Sequence, residues 1–449
     1  MNRLGLVVSI ALAIAASGAS RASEASVTPP PAVTAAELEA ALWGELDAWF
    51  PACIDRAHGG FTAGFDARWK PLPDQTKALV FQARMTWVAA EVALRRPEQR
   101  DRFEAYARHG LAFLEQTMWD PEHGGLFWQL SLNGEPVPPT GQHKHAYGMS
   151  FVIYAAANVY RLTGDPAALD LARRTYEWLE THAADHCHGG YIEAMDITGA
   201  ALPARRDETG RWAHDVIGTA YGFKSMNTHI HLLEAYTAFY RVWPDESLGT
   251  RLASLIEIVT ERLYVEPGCL HLYVTADWRP VPDHDSFGHD VETTYLLLEA
   301  SELLGHDAAE KVWPKAKALT DHALDYGFDR QRGGLYYAGS AFHEPTDTTK
   351  VWWVQAEALN AFQLLSVKHP EQPRYAKAFA QAWRFTADNL LDPQNGGWWT
   401  ATDATGERTG DARKGTAWKS AYHTARALLE ITDRMTRPST AKNLNATAP

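Results

Sequence analysis

The sequence predicts an all-α protein, an (α/α)6 barrel of six repeated helix pairs with short hairpin loops at one end. Three observations carry this. Glycine pairs recur at Gly59-Gly60, Gly124-Gly125, Gly189-Gly190, Gly333-Gly334 and Gly396-Gly397, with a degenerate copy at Gly268-Cys269; most neighbours lie about 65 residues apart. A fixed period of that length signals a repeat architecture. Most pairs are followed by a short aromatic, strand-like piece such as Leu126-Phe-Trp-Gln129, and most of these run into a second turn such as Thr402-Asp-Ala-Thr-Gly406, the pattern of a small hairpin. Helical patterns flank every one of these loops.

In chain order, the helices before the loops are expected over 35–50, 100–118, 166–182, 246–263, 308–326 and 372–390. Those after the loops are expected over 77–94, 143–162, 218–242, 289–304, 348–367 and 415–434. Breakers such as Gly164-Asp-Pro166 separate one pair from the next. The second set is the more apolar and small-residue-rich, as in Gly148-Met-Ser-Phe-Val-Ile-Tyr-Ala-Ala-Ala157, and is assigned to the inside of a closed ring. The first set carries charge rows such as Arg173, Arg174, Glu177 and Glu180, and is assigned to the outside. An open solenoid is the competing arrangement. Length alone permits two or three domains, but the repeats override it and give one barrel over 35–436.

The ends read differently. Residues 1–22 combine a positive start, an apolar run too short to span a bilayer and small residues near Ala19 and Ala22, the pattern of a secretory signal. Residues 23–34 read as a linker and 437–449 as a disordered tail, so export, to a periplasm, is expected. A net charge of −13 argues against nucleic acid or an anionic membrane as partner. Cys53, Cys187 and Cys269 lack CxxC spacing and suggest neither a zinc site nor a disulfide framework.

Polar and aromatic residues collect in the first turns of the inner helices. Asn227, His231 and Glu234 fall at i, i+4 and i+7, one polar row on an otherwise apolar helix, while His229 points elsewhere. Arg84, Tyr147, His289 with Glu292, Trp352 with Trp353 and Glu357, and Trp418 with His423 occupy comparable positions in the other repeats. Singly, Arg84 reads equally as a buried ion pair, Trp352 and Trp353 as core, and His423 as a cap. Six sets at equivalent positions in parallel helices instead converge on one mouth. A metal is disfavoured: His229 and His231 cannot share an ion, and His231 with Glu234 or His289 with Glu292 gives only two ligands. Asp290, Glu292 and Glu357 could serve glycoside cleavage, but the repeated residue at the mouth is histidine, which favours proton transfer near neutral pH.

The motifs Asn227-Thr-His-Ile-His-Leu-Leu-Glu-Ala-Tyr236, Ser286-Phe-Gly-His-Asp-Val-Glu292, Lys350-Val-Trp-Trp-Val-Gln-Ala-Glu357 and Trp418-Lys-Ser-Ala-Tyr-His423 together resemble the acylglucosamine 2-epimerase superfamily, and most closely its cellobiose 2-epimerase branch. The resemblance covers nearly the whole chain after the linker. His229-Ile-His231, where the monosaccharide branches usually carry Asn-Met-His, and the Gly-His-Asp-x-Glu form favour the disaccharide branch. It implies an isomerase without a cofactor, acting on a reducing disaccharide such as cellobiose by C2 deprotonation and reprotonation through an enediolate. A monomer or weak homodimer is expected. The resemblance assigns proton transfer to His289 and His423 with His231 in support. Arg84 then meets the oxyanion, Glu292 orients His289, Tyr147 and Asn227 bond sugar hydroxyls, Trp352, Trp353 and Trp418 offer ring faces, and Glu357 joins the substrate contacts. An aldose–ketose isomerase, a carbohydrate-cleaving barrel enzyme and a non-catalytic sugar-binding protein remain as alternatives.

Overall fold

The computed structural model describes residues 32–73 and 75–437. The expected signal over 1–22, most of the linker and nearly all of the tail lie outside the described residues. Twelve helices are present among those described: α1 (Ala35–Trp49), α2 (Leu79–Arg95), α3 (Arg100–Phe113), α4 (Ala146–Thr163), α5 (Pro166–His182), α6 (Met226–Val242), α7 (Glu246–Glu257), α8 (Phe287–Leu304), α9 (His306–His322), α10 (Trp352–Lys368), α11 (Pro373–Asn389) and α12 (Tyr422–Thr436). The outer helices begin on side-chain caps where the sequence offers them: Thr34 and Glu37 form a capping box on α1, and Asp165 and Asp245 cap α5 and α7.

The even-numbered helices are buried almost all round and pack in sequence, α2 on α4, α4 on α6, and so on to α12, which returns to α2. The ring is therefore closed rather than an open solenoid. Each remaining helix lies outside: α3 on α2, α5 on α4, α7 on α6, α9 on α8, α11 on α10, and α1 on α12. The tightest antiparallel neighbours are thus an inner helix and the outer helix that follows it, joined by a short connection. The Gly-Gly loop crosses from an outer helix to the next inner one. Helix α1 fills the last outer place, so the two ends of the chain complete the barrel together. Arg96 ties them, bonding Glu39 of α1 at 2.8 Å and Asp433 of α12 at 3.0 Å.

At the mouth, the extended residues just before each inner helix pair antiparallel with the hairpin of the next repeat. The registers are Lys77 with Leu130, His145 with Ala194, Ser225 with Tyr273, Asp285 with Gly339, Val351 with Ala401, and finally Gly415 with Phe65. This circular ladder explains why several inner helices start later than their apolar pattern. Residues 218–223, expected to be helical, instead form a turn in which Asp215 Oδ1 accepts from the amides of Ile217, Gly218 and Thr219. Residues 415–421, likewise expected in a helix, are a loop, which moves Trp418 off α12.

Each glycine-pair loop is closed by a bridge across it, as between Ile54 and Phe61 or Leu391 and Trp398. In five loops an aspartate caps the turn amides and receives a fully buried lysine from the extended segment that leads into the inner helix, two residues before it in four copies and eight in the last. The pairs are Asp55–Lys77, Asp120–Lys144, Asp185–Lys224, Asp329–Lys350 and Asp392–Lys414, at 2.7 to 2.8 Å. The lysine also donates to a loop carbonyl, Gly59 O in the first copy. Such a pair fixes a loop geometry more than it stabilises, but breaking one side leaves a bare charge inside the protein.

Asp392→Asn, which strands the Lys414 ammonium, is expected to cost roughly 3–5 kcal/mol in urea unfolding. Burial alone would raise Asp185 and Asp392, but Lys224 and Lys414 with the loop amides outweigh it and hold both at about 2. Since the unfolded carboxyls titrate near 3.8, the unfolded chain binds more protons in between. Stability from these pairs is therefore complete above that value and is lost as the pH falls through about 2, which a pH series of unfolding curves measures.

Candidate functional site

The inner helices deliver their first turns to one cavity of about 300 Å³ at the mouth. It is lined by Arg84, Tyr147, Ile217, Asn227, His231, His289, Glu292, Tyr337, Trp352, Trp353, Trp418 and His423. The size suits a small ligand. Hollows on the outer surface, between the segment that follows α9 and α11 and between α1 and α11, contain no imidazole among their lining residues. Ten of the eleven site residues expected from sequence meet here, and Glu357 lies directly beneath.

The three imidazoles are each held by Nδ1. His231 Nδ1 lies 3.0 Å from Glu234, His423 Nδ1 lies 2.5 Å from Glu357, and His289 Nδ1 lies 2.6 Å from Ser286 Oγ. Nε2 is consequently the atom each ring has free. The expected partnership of Glu292 with His289 is not a hydrogen bond in the structure. A helical i, i+3 pair can meet, as His231 and Glu234 do, but here Arg426 captures the Glu292 carboxylate and Ser286 reaches the ring. Burial pulls His289 down to about 4, with the neighbouring His231 and His423 adding to the effect. Burial, then the Arg84 charge, pulls His423 well below the usual imidazole range. Both rings are therefore neutral at pH 7.

Beneath the imidazoles sits a residue that the sequence reading missed. Arg426 is 3% exposed, and its guanidinium bonds Glu234, Glu292 and Glu357 together, along with the Tyr422 hydroxyl at 2.5 Å. Its signal was its place on α12, three residues after His423, the same offset that separates His231 from Glu234. Burial would raise Glu234, but Arg426, His231 and Tyr422 outweigh it and hold that carboxyl at about 2. One cation thus anchors the acids that orient two of the three histidines.

Arg84 is the contrasting cation. It is 4% exposed, lies over the faces of Phe151 at 4.3 Å and Tyr422 at 4.8 Å, donates to Tyr147 OH at 3.1 Å, and has no carboxylate in ion-pair range among the described residues. A desolvated, permanently charged guanidinium without a counter-ion is suited to an oxygen on which negative charge develops. Trp353 packs against both His289, at 4.8 Å, and His423, at 5.6 Å, and so steadies the two rings. Trp352 is buried, whereas Trp418 is 43% exposed on the rim, near Tyr147 and Trp128. Ile217 and Tyr337 come from loops whose course no sequence pattern revealed. His229 is structural: its Nδ1 donates to Ser225 O and its Nε2 accepts from Tyr191 N, the task Gln82 and Gln355 perform for Phe61 and Leu335 in other repeats.

The family model for N-acylglucosamine 2-epimerase matches residues 59–427. The chain belongs to the N-acylglucosamine 2-epimerase family. Among family members, it is 30% identical to a cellobiose 2-epimerase of Bacteroides fragilis over 86% of this chain and 95% of that one. The solved cellobiose 2-epimerase of Spirochaeta thermophila superposes with a TM-score of 0.78 at 32% identity, covering 89% of this chain and 96% of the other. A D-mannose isomerase of Marinomonas mediterranea is 26% identical over 89% of this chain and 97% of its own length.

Arg426→Met would leave three buried carboxylates without their cation. A loss of roughly 3–5 kcal/mol or more is expected in chemical unfolding, the cost of breaking a buried ion pair. An unfolding curve that superposes on the parent's would remove Arg426 from this anchoring role.

Proposed function

We propose that the protein is a sugar 2-epimerase that interconverts the gluco and manno configurations at the reducing end of a β-1,4-linked disaccharide such as cellobiose. The observation that carries this reading is the pair of neutral, Nδ1-anchored histidines, His289 and His423, both packed on Trp353 and lining one cavity with Arg84, which has no carboxylate partner among the described residues. In the ring-opened aldose the C2 proton is acidified by the neighbouring aldehyde. One imidazole takes that proton on Nε2; the C2–H electron pair becomes the enediolate, whose oxygen charge faces Arg84. The other imidazole, which takes a proton from water on Nε2 before this step, returns it to the opposite face of C2 and is left neutral; the first ring then releases its proton to water, so the epimer forms and both rings are restored with no net change in atoms or electrons. His231, locked by Glu234, supports the pair, and Asn227 and Tyr147 meet hydroxyls. Glu292 acts through its charge and its bond to Arg426 rather than by holding His289.

The likeness to cellobiose 2-epimerases supports the disaccharide, as does the cavity's shape, whose deep end holds the imidazoles and whose open rim carries Trp418 for a second ring. A second reading, aldose–ketose isomerisation, is favoured by the likeness to D-mannose isomerases. It uses the same enediolate and returns the proton to C1.

Cellobiose, mannobiose, glucose and mannose incubated with the protein in deuterated water separate these readings by NMR. Epimer labelled at C2 is expected; ketose labelled at C1 selects the isomerase, and cleaved sugar rejects both. His289→Ala and His423→Ala are each expected to keep the fold and lower turnover by roughly 10²–10⁴-fold. Retention of more than about a tenth of the activity assigns that histidine a structural place.

The two tryptophans are expected to part company. Trp418→Ala, at an exposed rim position, is expected to leave stability within about 0.5 kcal/mol while weakening disaccharide binding. Trp352→Ala is expected to cost roughly 3–5 kcal/mol as a core truncation. Melting curves beside KM for disaccharide and monosaccharide measure both.

Export belongs to the same proposal: in a host with a secretory pathway, intact-mass analysis of the protein outside the cytoplasm is expected to show loss of the segment ending at Ala19 or Ala22. An unprocessed, cytoplasmic product would reject it.

A further inference from the structure

The fourth repeat breaks the rule of the other five. Where they place an aspartate at the glycine-pair turn, Val265 stands; where they place the buried lysine in the extended segment before the inner helix, Asp285 stands; and Cys269 takes the place of the second glycine. A position that elsewhere holds an ammonium group inside the protein holds a carboxylate here. Two further buried groups converge on it, Asp290 from α8 and His322 from the end of α9. Asp285, Asp290 and His322 are 4%, 1% and 3% exposed, and one ligand atom of each lies within 4.8 Å of the others.

The hydrogen bonds fix which atoms face inward. His322 Nε2 lies 2.9 Å from Ala341 O, which can only accept, so that nitrogen carries its proton and Nδ1 is the ring's remaining electron-pair donor. Nδ1 lies 3.4 Å from Asp285 Oδ2. Both oxygens of Asp285, one of Asp290 and His322 Nδ1 have no hydrogen-bond partner, and among the described residues no Lys or Arg is in ion-pair range of either aspartate. Three donor atoms, one from each residue, are thus gathered inside the protein with no Lys or Arg beside them. A buried carboxylate left in that state is strongly disfavoured.

We propose that Asp285, Asp290 and His322 form a buried structural site for a first-row divalent transition-metal ion, of which Zn²⁺ is the best match. An imidazole nitrogen with two carboxylate oxygens suits Zn²⁺, the second Asp285 oxygen or a water completing the four positions. Ca²⁺ wants six to eight oxygen ligands and Mg²⁺ near-ideal octahedral geometry, which this set does not supply. The ion stands where the lysine stands in the other five repeats and performs the same service. Asp285 and Asp290 bracket Ser286 and His289, so it pins the turn that begins α8 and carries a functional histidine. The metal-free arrangement would be two protons, one on His322 Nδ1 and one shared by the aspartates.

The test is metal content and stability of the whole chain, prepared with a tag that does not itself bind metal. Elemental analysis after exposure to Zn²⁺ and desalting is expected to give about one equivalent per chain. Chelation is expected to lower Tm by several degrees, and Zn²⁺ but not Mg²⁺ to restore it. Asp285→Lys, which supplies the ammonium used in the other repeats, is expected to fold, hold less than about a tenth of an equivalent and ignore the chelator. His322→Gln provides a second variant with the same expected loss of metal. A wild-type protein that holds no Zn²⁺ and melts identically with and without chelator overturns the proposal in favour of the two protons. Undiminished metal in both variants overturns it by placing the ion elsewhere.

Discussion

The interaction on which the interior depends is the contact of Arg426 with three buried glutamates. A barrel of inner helices has an axis, and this one is lined near its mouth by Glu234, Glu292 and Glu357, groups that the low-dielectric interior would otherwise reject. One guanidinium, with five donors in a fixed fork, satisfies several at once, and a lysine could not. Two of those carboxylates then have a second oxygen or lone pair to spend on imidazoles, so that the positions of His231 and His423 follow from the charge balance below them. The polar floor and the reactive roof are parts of one network.

Arg84 shows the complementary arrangement. It is as buried as Arg426 but rests on aromatic faces instead of acids. The protein therefore keeps one cation neutralised for structure and one uncompensated at the cavity, and their different roles come entirely from what surrounds them. The two imidazoles beside Trp353 remain neutral for a related reason: burial penalises their charged forms, and the nearest cations add to that penalty for His423.

Much of this was legible in the chain. The glycine-pair period gave the number of helices and their alternation, because loop and helix chemistry repeat together. The site residues could be placed because they gather in the first two turns of the inner helices, as with His231, His289 and Trp352. What could not be read depends on closure. Arg426 resembles any arginine on a helix until α8, α10 and α6 are brought around it. Ile217 and Tyr337 reach the cavity only because hairpins fold back over the mouth, and Trp418 left its expected helix because Gly415 pairs with Phe65 across the seam of the ring. The partner of His289 was misassigned for the same reason: helical spacing alone puts Glu292 in reach, whereas the pull of Arg426 is set by a helix more than a hundred residues away in sequence.

The circular ladder at the mouth has a further consequence. The amide of Trp352, the first residue of α10, donates to Thr400 O in the following repeat, as Met226 does to Leu272 O and Ala146 to Glu193 O. No repeat thus builds its own share of the cavity; each is set in place by its successor, around to the pairing of Gly415 with Phe65. Recombination between relatives that exchanged one repeat would split a wall residue from the strand that aims it. The smallest transferable piece is an inner helix together with the hairpin that comes after it, so diversification of such barrels is constrained to move in overlapping segments rather than in the units that the glycine period suggests.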